Sequence, residues 1–236
     1  MIKALKHSLT LTASAFALYA LPAIHAQTLT FNVDINTAAL QAQDGANGPF
    51  DLDFQLNYGN SSLAASTATL SNFVLTGGSA TGSAVATGSA TGSLNSGSVA
   101  LTANSAHTNN ELYQQFTSGV TDIQFTATVT ETGPDIGTPT SFTTAILDNS
   151  LGSPAQLYTT APDTASLVTL SLNSANTLSN VGAYTSTFSA DGNTPVTGVT
   201  ASISAIPEPS TTAAIIGGAA LLIAFYARRS GKLQIA

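Results

Sequence analysis

The chain has 236 residues, of which 12 are acidic and five basic, giving a formal net charge of −7, and it contains neither cysteine nor tryptophan. The basic residues Lys3, Lys6, Arg228, Arg229 and Lys232 all lie near the two ends, and Glu208 is the one acidic residue beside them, so the long middle is anionic throughout. That excludes nucleic acid and anionic lipid as partners of the middle, because both need cationic groups. It also excludes disulfide staples and Lys or Arg salt bridges, so burial and backbone hydrogen bonding must hold the fold.

Taken in chain order, Lys3 and Lys6 make a positive start, Leu9–Leu21 an apolar stretch, and Pro22 a helix break. Small residues follow, with a cut expected after Ala26 and an alternative after Ala23. The pattern predicts a secretory signal peptide over residues 1–26, too short for a stable membrane anchor.

Three segments then alternate apolar and polar residues with period two. They are Leu29–Ile35, Phe50–Tyr58 and Ile123–Val129. Each puts apolar side chains on one sheet face and polar ones on the other. Weaker alternation predicts strands at Thr69–Leu75, Ser98–Ala103, Ser141–Leu147, Leu167–Leu172, Ala183–Ser189 and Val196–Ser204. About nine strands result. Asp44-Gly45, Asn47-Gly48, Gly77-Gly78, Gly133-Pro134 and Asp191-Gly192-Asn193 supply the turns. Asn109–Gln115 is the one stretch read as a short turn of helix. The expected fold is an all-β antiparallel sandwich over 27–205, with a jelly roll among the arrangements that fit.

Ala-Thr-Gly-Ser recurs at Ala80–Ser83, Ala86–Ser89 and Ala90–Ser93. So little apolar area allows either a thin edge strand or hairpin, or a mobile loop.

Catalytic chemistry finds few candidates. His107 is the sole histidine of the middle, in the polar stretch Asn104–Glu111, and no Gly-x-Ser-x-Gly elbow accompanies it. His107 and Glu111 would align on a helix as two metal ligands, but a zinc site needs a third. Asp51 and Asp53 share one strand face, as a glycosidase pair or calcium site would. They alternate with Phe50, Leu52 and Phe54, so the expectation is that both point to solvent. Asp44–Gly48 is an oxygen-rich turn that falls short of a calcium loop. Tyr113, Tyr158 and Tyr184 are the candidates for exposed aromatics on which a sugar would stack. No catalytic residue, metal site or cofactor is assigned.

At the C-terminal end, Pro207 and Pro209 hold Glu208 in extended backbone, which suits a protease that binds open chain. Thr211–Ala227 carries no charge and spans about 25 Å as helix. Gly217-Gly218 and the alanines permit close approach of another helix, and Arg228, Arg229 and Lys232 anchor the far end on the cytoplasmic side. Read from these residues alone, the segment is a processing signal or a permanent anchor.

The segment resembles a PEP-CTERM sorting signal, carried by exported proteins of Gram-negative, biofilm-forming bacteria. Pro207, Glu208 and Pro209 match the motif, Thr211–Tyr226 the span and Arg228-Arg229 the basic end. The tail Ser230–Ala236, with Leu233 and Ile235, is longer than is usual in that family. The resemblance implies recognition by exosortase, a membrane-embedded cysteine protease and transpeptidase that cuts at or near the motif. The middle is also similar to an uncharacterised family of PEP-CTERM exported proteins, through Thr28–Asn36 with Thr37–Leu40, Leu52–Leu56, Ala68–Phe73 and Phe142–Leu147. That similarity implies a shared fold and sorting, and no chemistry.

The sequence therefore predicts export through the Sec translocon and cleavage by signal peptidase after Ala26. Transient retention in the inner membrane by the segment 206–236 follows, then sorting by exosortase to the cell surface or the extracellular matrix. The expected role is that of a structural, non-enzymatic surface protein, with exopolysaccharide as a candidate matrix partner. The alternative is a glycan- or calcium-dependent surface binding module.

Overall fold

A computed structural model describes residues 27–43, 48–59, 65–132, 140–172 and 178–206 of the chain. The signal peptide over 1–26, the turn residues 44–47, Gly133-Pro134 and the whole sorting segment from Pro207 onward lie outside the described residues. Among the described residues no helix is long and apolar enough to cross a membrane.

Among the described residues fifteen strands follow one another, interrupted by a 3-10 turn at Ala38–Gln43. They are β1 (Gln27–Asn36), β2 (Phe50–Asn57), β3 (Ala65–Thr76), β4 (Val85–Thr87), β5 (Thr91–Ser93), β6 (Ser98–Ala103), β7 (Asn109–Phe116), β8 (Asp122–Thr132), β9 (Ser141–Asp148), β10 (Ala155–Gln156), β11 (Tyr158–Thr159), β12 (Val168–Leu172), β13 (Leu178–Ala183), β14 (Ser186–Phe188) and β15 (Thr200–Ile206). One sheet has the order β15-β1-β8-β3-β6-β5 and the other β13-β12-β9-β2-β7-β4, with β10 added beside β9 and β11-β14 forming a small ribbon. Every pairing between these strands is antiparallel. The fold is thus all-β, as the alternation predicts.

The two sheets meet face to face over one core. From the first sheet come Phe31, Val33 and Ile35 of β1 and Ile123, Phe125, Ala127 and Val129 of β8; from the second come Phe50, Leu52, Phe54 and Leu56 of β2. Phe54 meets the edge of the Phe125 ring at 5.3 Å between centroids, and Phe73 of β3 completes the trio at 5.9 and 5.6 Å. Such aromatic contacts add ~0.5–1.5 kcal/mol beyond area burial.

Strand β3 changes phase in its middle. Ala68 and Leu70 face the core in its first half, Phe73 and Leu75 in its second. A bulge between Ser71 and Val74 inserts one extra residue against β8. Asn72 takes the left-handed conformation there, with φ of 57°, which asparagine tolerates better than most residues.

The Ala-Thr-Gly-Ser stretch is ordered, and the reason is polar. Gly82, Gly88 and Gly92, one in each copy, all have positive φ, at 65°, 66° and 95°. Each copy therefore holds a backbone position that a Cβ would oppose. Two buried amides of β7 hold the turns. Gln114 Oε1 accepts from Leu94 N at 2.8 Å and its Nε2 donates to the Gly82 carbonyl at 3.1 Å. Asn110 Oδ1 accepts from Ser89 N at 2.7 Å and its Nε-equivalent amide, Nδ2, donates to the His107 carbonyl at 3.0 Å. β4 then pairs with β7 and β5 with β6, placing the two halves of the stretch on opposite sheets.

The same amides explain a correction. Asn109–Gln115 is strand, not helix, because Asn110, Leu112, Gln114 and Phe116 all face inward with period two. Two polar residues on the buried face hide the alternation. β4 and β5 realise the edge-strand reading of the Ala-Thr-Gly-Ser stretch, whereas β10, β11 and β13 went beyond the strands expected from alternation, being short segments fixed by their neighbours.

Candidate functional site

The outward faces of the two sheets hold the groups with chemistry to offer. On the second sheet, β2 lies between β9 and β7, and its outward residues are Asp51, Asp53, Gln55 and Asn57. Asp51 is 8 % exposed and Asp53 0 %. The expectation that both point into solvent is therefore wrong. Asp53 stands between Tyr113 of β7 and Ala145 of β9. The hairpin that returns from β9 to β10 carries Gln156 over it, with Nε2 3.4 Å from Asp53 Oδ2. Burial of both faces was legible in Ala145-Ile146-Leu147, where three consecutive apolar residues break the alternation and all are buried.

Gln55 Nε2 donates to Asp53 Oδ2 at 2.7 Å and to Glu111 Oε1 at 3.3 Å, so one amide bridges two carboxyl groups. Asp53 Oδ1 is buried with no hydrogen-bond donor. Burial first, and the Glu111 carboxylate second, push the Asp53 carboxyl up from 3.8 to about 7. Burial raises Asp51 as well. A retaining glycosidase pair stands about 5–5.5 Å apart with access to substrate. Asp53 is linked to Glu111 through the Gln55 amide and sealed from solvent, so the geometry does not fit that chemistry. Next to Glu111 a polar cleft of about 200 Å³ is lined by Gln55, Asn57, Thr87, Asn109 and Asn110.

The first sheet carries the larger depression, a groove of about 390 Å³ crossing β15, β1, β8 and β3. Its outward side chains form two rows in register. Ser204, Asn32 and Thr126 make one, extended by Asn72; Ser202, Asp34, Gln124 and Val74 make the other. Thr126 Oγ1 donates to Asn32 Oδ1 at 3.3 Å, Asn72 Nδ2 to Thr126 Oγ1 at 3.2 Å, and Gln124 Nε2 to Asp34 Oδ2 at 3.1 Å. Beside the groove, partial burial and then the Asp34 carboxyl raise Asp122. The face continues as a threonine ladder, with Thr30 and Thr128 hydroxyls 3.3 Å apart and those of Thr28 and Thr130 3.0 Å apart.

His107 is exposed in the turn between β6 and β7, where its N–H donates to Asn104 O at 3.1 Å. Glu111 lies on a strand, so the helical alignment of His107 with Glu111 does not exist. Among the described residues no three His, Cys, Asp or Glu side chains converge as metal ligands. The Asp44–Gly48 turn lies almost wholly outside the described residues, as do Pro207, Glu208, Pro209, Arg228, Arg229, Lys232 and Ala26. Of the three tyrosines, Tyr158 is 44 % exposed, beside Phe188 at 42 %, its partner across β11 and β14. Tyr113 and Tyr184 are half-buried.

Asp148 and Asp163 fasten loops. Asp148 is fully buried and accepts from Ser150 N, Ser150 Oγ and Ala190 N at 3.1, 2.7 and 2.9 Å. Burial would raise Asp163, but donors from Ser166 and Ala165 outweigh it and hold the carboxyl below its usual range.

No protein-family model, curated protein or solved structure matches the chain.

Proposed function

We propose that the chain is an exported structural protein of the cell surface or extracellular matrix, released from the inner membrane by exosortase at Pro207–Pro209. The observation that carries this is the pair of end signals in the sequence: the positive start, apolar stretch and small residues up to Ala26, and Pro207-Glu208-Pro209 followed by the uncharged run to Ala227 and the basic residues Arg228, Arg229 and Lys232. Between these signals the described residues form an all-β antiparallel fold. We further infer a jelly roll: β1-β8-β3-β6 and β2-β7-β4 interleave in that pattern, with β5 moved across to β6. A signal helix before the sandwich and a membrane helix near 211–227 complete the proposed precursor.

The test is expression of the whole chain in hosts with and without an exosortase, followed by intact mass measurement of surface and secreted fractions. A product ending near Pro207–Pro209 only with the exosortase is expected. Retention of residues 211–236 in both hosts would make the tail a permanent anchor and overturn the proposal. A glycan-binding surface module is the second reading, favoured by the groove on the first sheet.

A further inference from the structure

We infer that the groove across β15, β1, β8 and β3 binds a neutral, hydroxyl-rich polysaccharide chain. The inference deepens the glycan-module reading and does not depend on exosortase processing. Four observations converge on it. The groove's volume, about 390 Å³, lies in the range of ligand sites. It crosses four strands, so its length is about 14 Å at roughly 4.8 Å per strand spacing, which suits an extended polymer better than a compact metabolite.

Its lining is the second observation. Asn32, Asn72 and Gln124 offer amide donors and acceptors, Thr126 and Ser204 hydroxyls, and Asp34 a carboxylate acceptor. Sugar hydroxyls both donate and accept, so a surface offering both kinds of group at each row matches them. The hydrogen bonds from Gln124 to Asp34, from Thr126 to Asn32 and from Asn72 to Thr126 hold these side chains in place before a ligand arrives. That reduces the ordering cost of binding. Val74, 52 % exposed at the end of one row, gives an apolar patch for the C–H face of a sugar ring.

Third, the bulge in β3 delivers Asn72 to this face in a left-handed conformation, φ 57°. Core packing of β3 requires a phase change there but not an asparagine aimed across the groove. Bulges that re-aim a side chain are over-represented beside binding sites. Fourth, charge selects the ligand. No Lys or Arg occurs between Lys6 and Arg228, and Asp34 with Asp122 makes that end of the groove acidic. A uronate or sulfated polymer would be repelled, whereas a neutral one would not.

The test is affinity electrophoresis and calorimetry of the exported protein against dextran, galactomannan and mixed-linkage β-glucan, with alginate as the anionic comparison. At least one neutral polymer is expected to bind and alginate not. Asn72→Gly keeps the left-handed backbone and removes the side chain; Ser202→Trp fills the groove from an exposed edge-strand position. Each should weaken binding by about tenfold or more, the scale of one lost anchor, while the thermal midpoint stays near wild type. Glu111→Gln and Tyr158→Ala, at the other cleft and at the exposed aromatic pair, should bind as wild type. Failure of every neutral polymer to bind, equal binding of alginate, unchanged binding by both groove variants, or loss that follows Glu111 or Tyr158 instead would each overturn the inference.

Discussion

Replacing Asp53 by asparagine should make this protein more stable at neutral and alkaline pH. The wild-type carboxyl is fully buried, faces Glu111, and is pushed up from 3.8 to about 7. Above about pH 7 it is ionised in both folded and unfolded chains, and the folded chain carries the full cost of a desolvated charge. Between about pH 7 and pH 4 the folded chain takes up the proton first, so the cost falls as pH falls. Below about pH 4 the group is neutral in both states and the cost is gone. The gap between 3.8 and about 7, at ~1.4 kcal/mol per pH unit, amounts to about 4 kcal/mol. Asparagine has the same shape and fits the donors already in place. Its carbonyl oxygen can occupy the Oδ2 position that accepts from Gln55 and Gln156, and its neutral amide nitrogen the Oδ1 position that now has no donor. Urea unfolding of wild type and Asp53→Asn from about pH 4.5 to about pH 8 measures the effect. Wild type should lose several kcal/mol across that window, the variant much less, and the variant should be more stable at about pH 8 by up to ~4 kcal/mol. The acids held low, Asp163 and Asp191, lose their contribution only below about pH 4, outside the window. A variant no more stable than wild type at about pH 8 would refute the assignment of that cost to Asp53.

Three further outcomes follow from particular contacts. Gln114→Ala strands the Leu94 N–H and the Gly82 carbonyl; a loss of about 2–4 kcal/mol and faster amide exchange across residues 80–94 should result. Gly92→Ala puts a Cβ against the Ser98 carbonyl oxygen at φ 95°, so β5 should detach from β6, read as lost exchange protection in those β6 amides that face β5, while those that face β3 keep theirs. Thr164 is a β-branched residue at φ 63°, and Thr164→Asn should raise stability by about 0.5–1 kcal/mol in thermal unfolding.

Where apolar residues alternated cleanly, the strands could be read without a structure. Phe31, Val33 and Ile35, Phe50 to Leu56, and Ile123 to Val129 all face the core as expected. β6 even keeps its expected bounds, Ser98–Ala103. Alternation is a local consequence of the pleat, so it needs no knowledge of neighbours. It failed where one buried face carried amides, as in β7, and where a bulge reset the phase, as in β3.

The candidate sites divide along the same line. Sequence order alone fixed which residues share a strand face, so Asp51 and Asp53 were correctly paired on one side of β2. Whether that side met water depended on β9, on Ala145 and Leu147, and on Gln156 from a hairpin about a hundred residues away in sequence. The Asp53–Glu111 pair and the four-strand groove are likewise products of register between distant segments. Composition, charge and the terminal motifs belong to the sequence because they are sums or local patterns. Burial and the meeting of side chains belong to the tertiary structure, because each depends on which strands the sheets bring side by side.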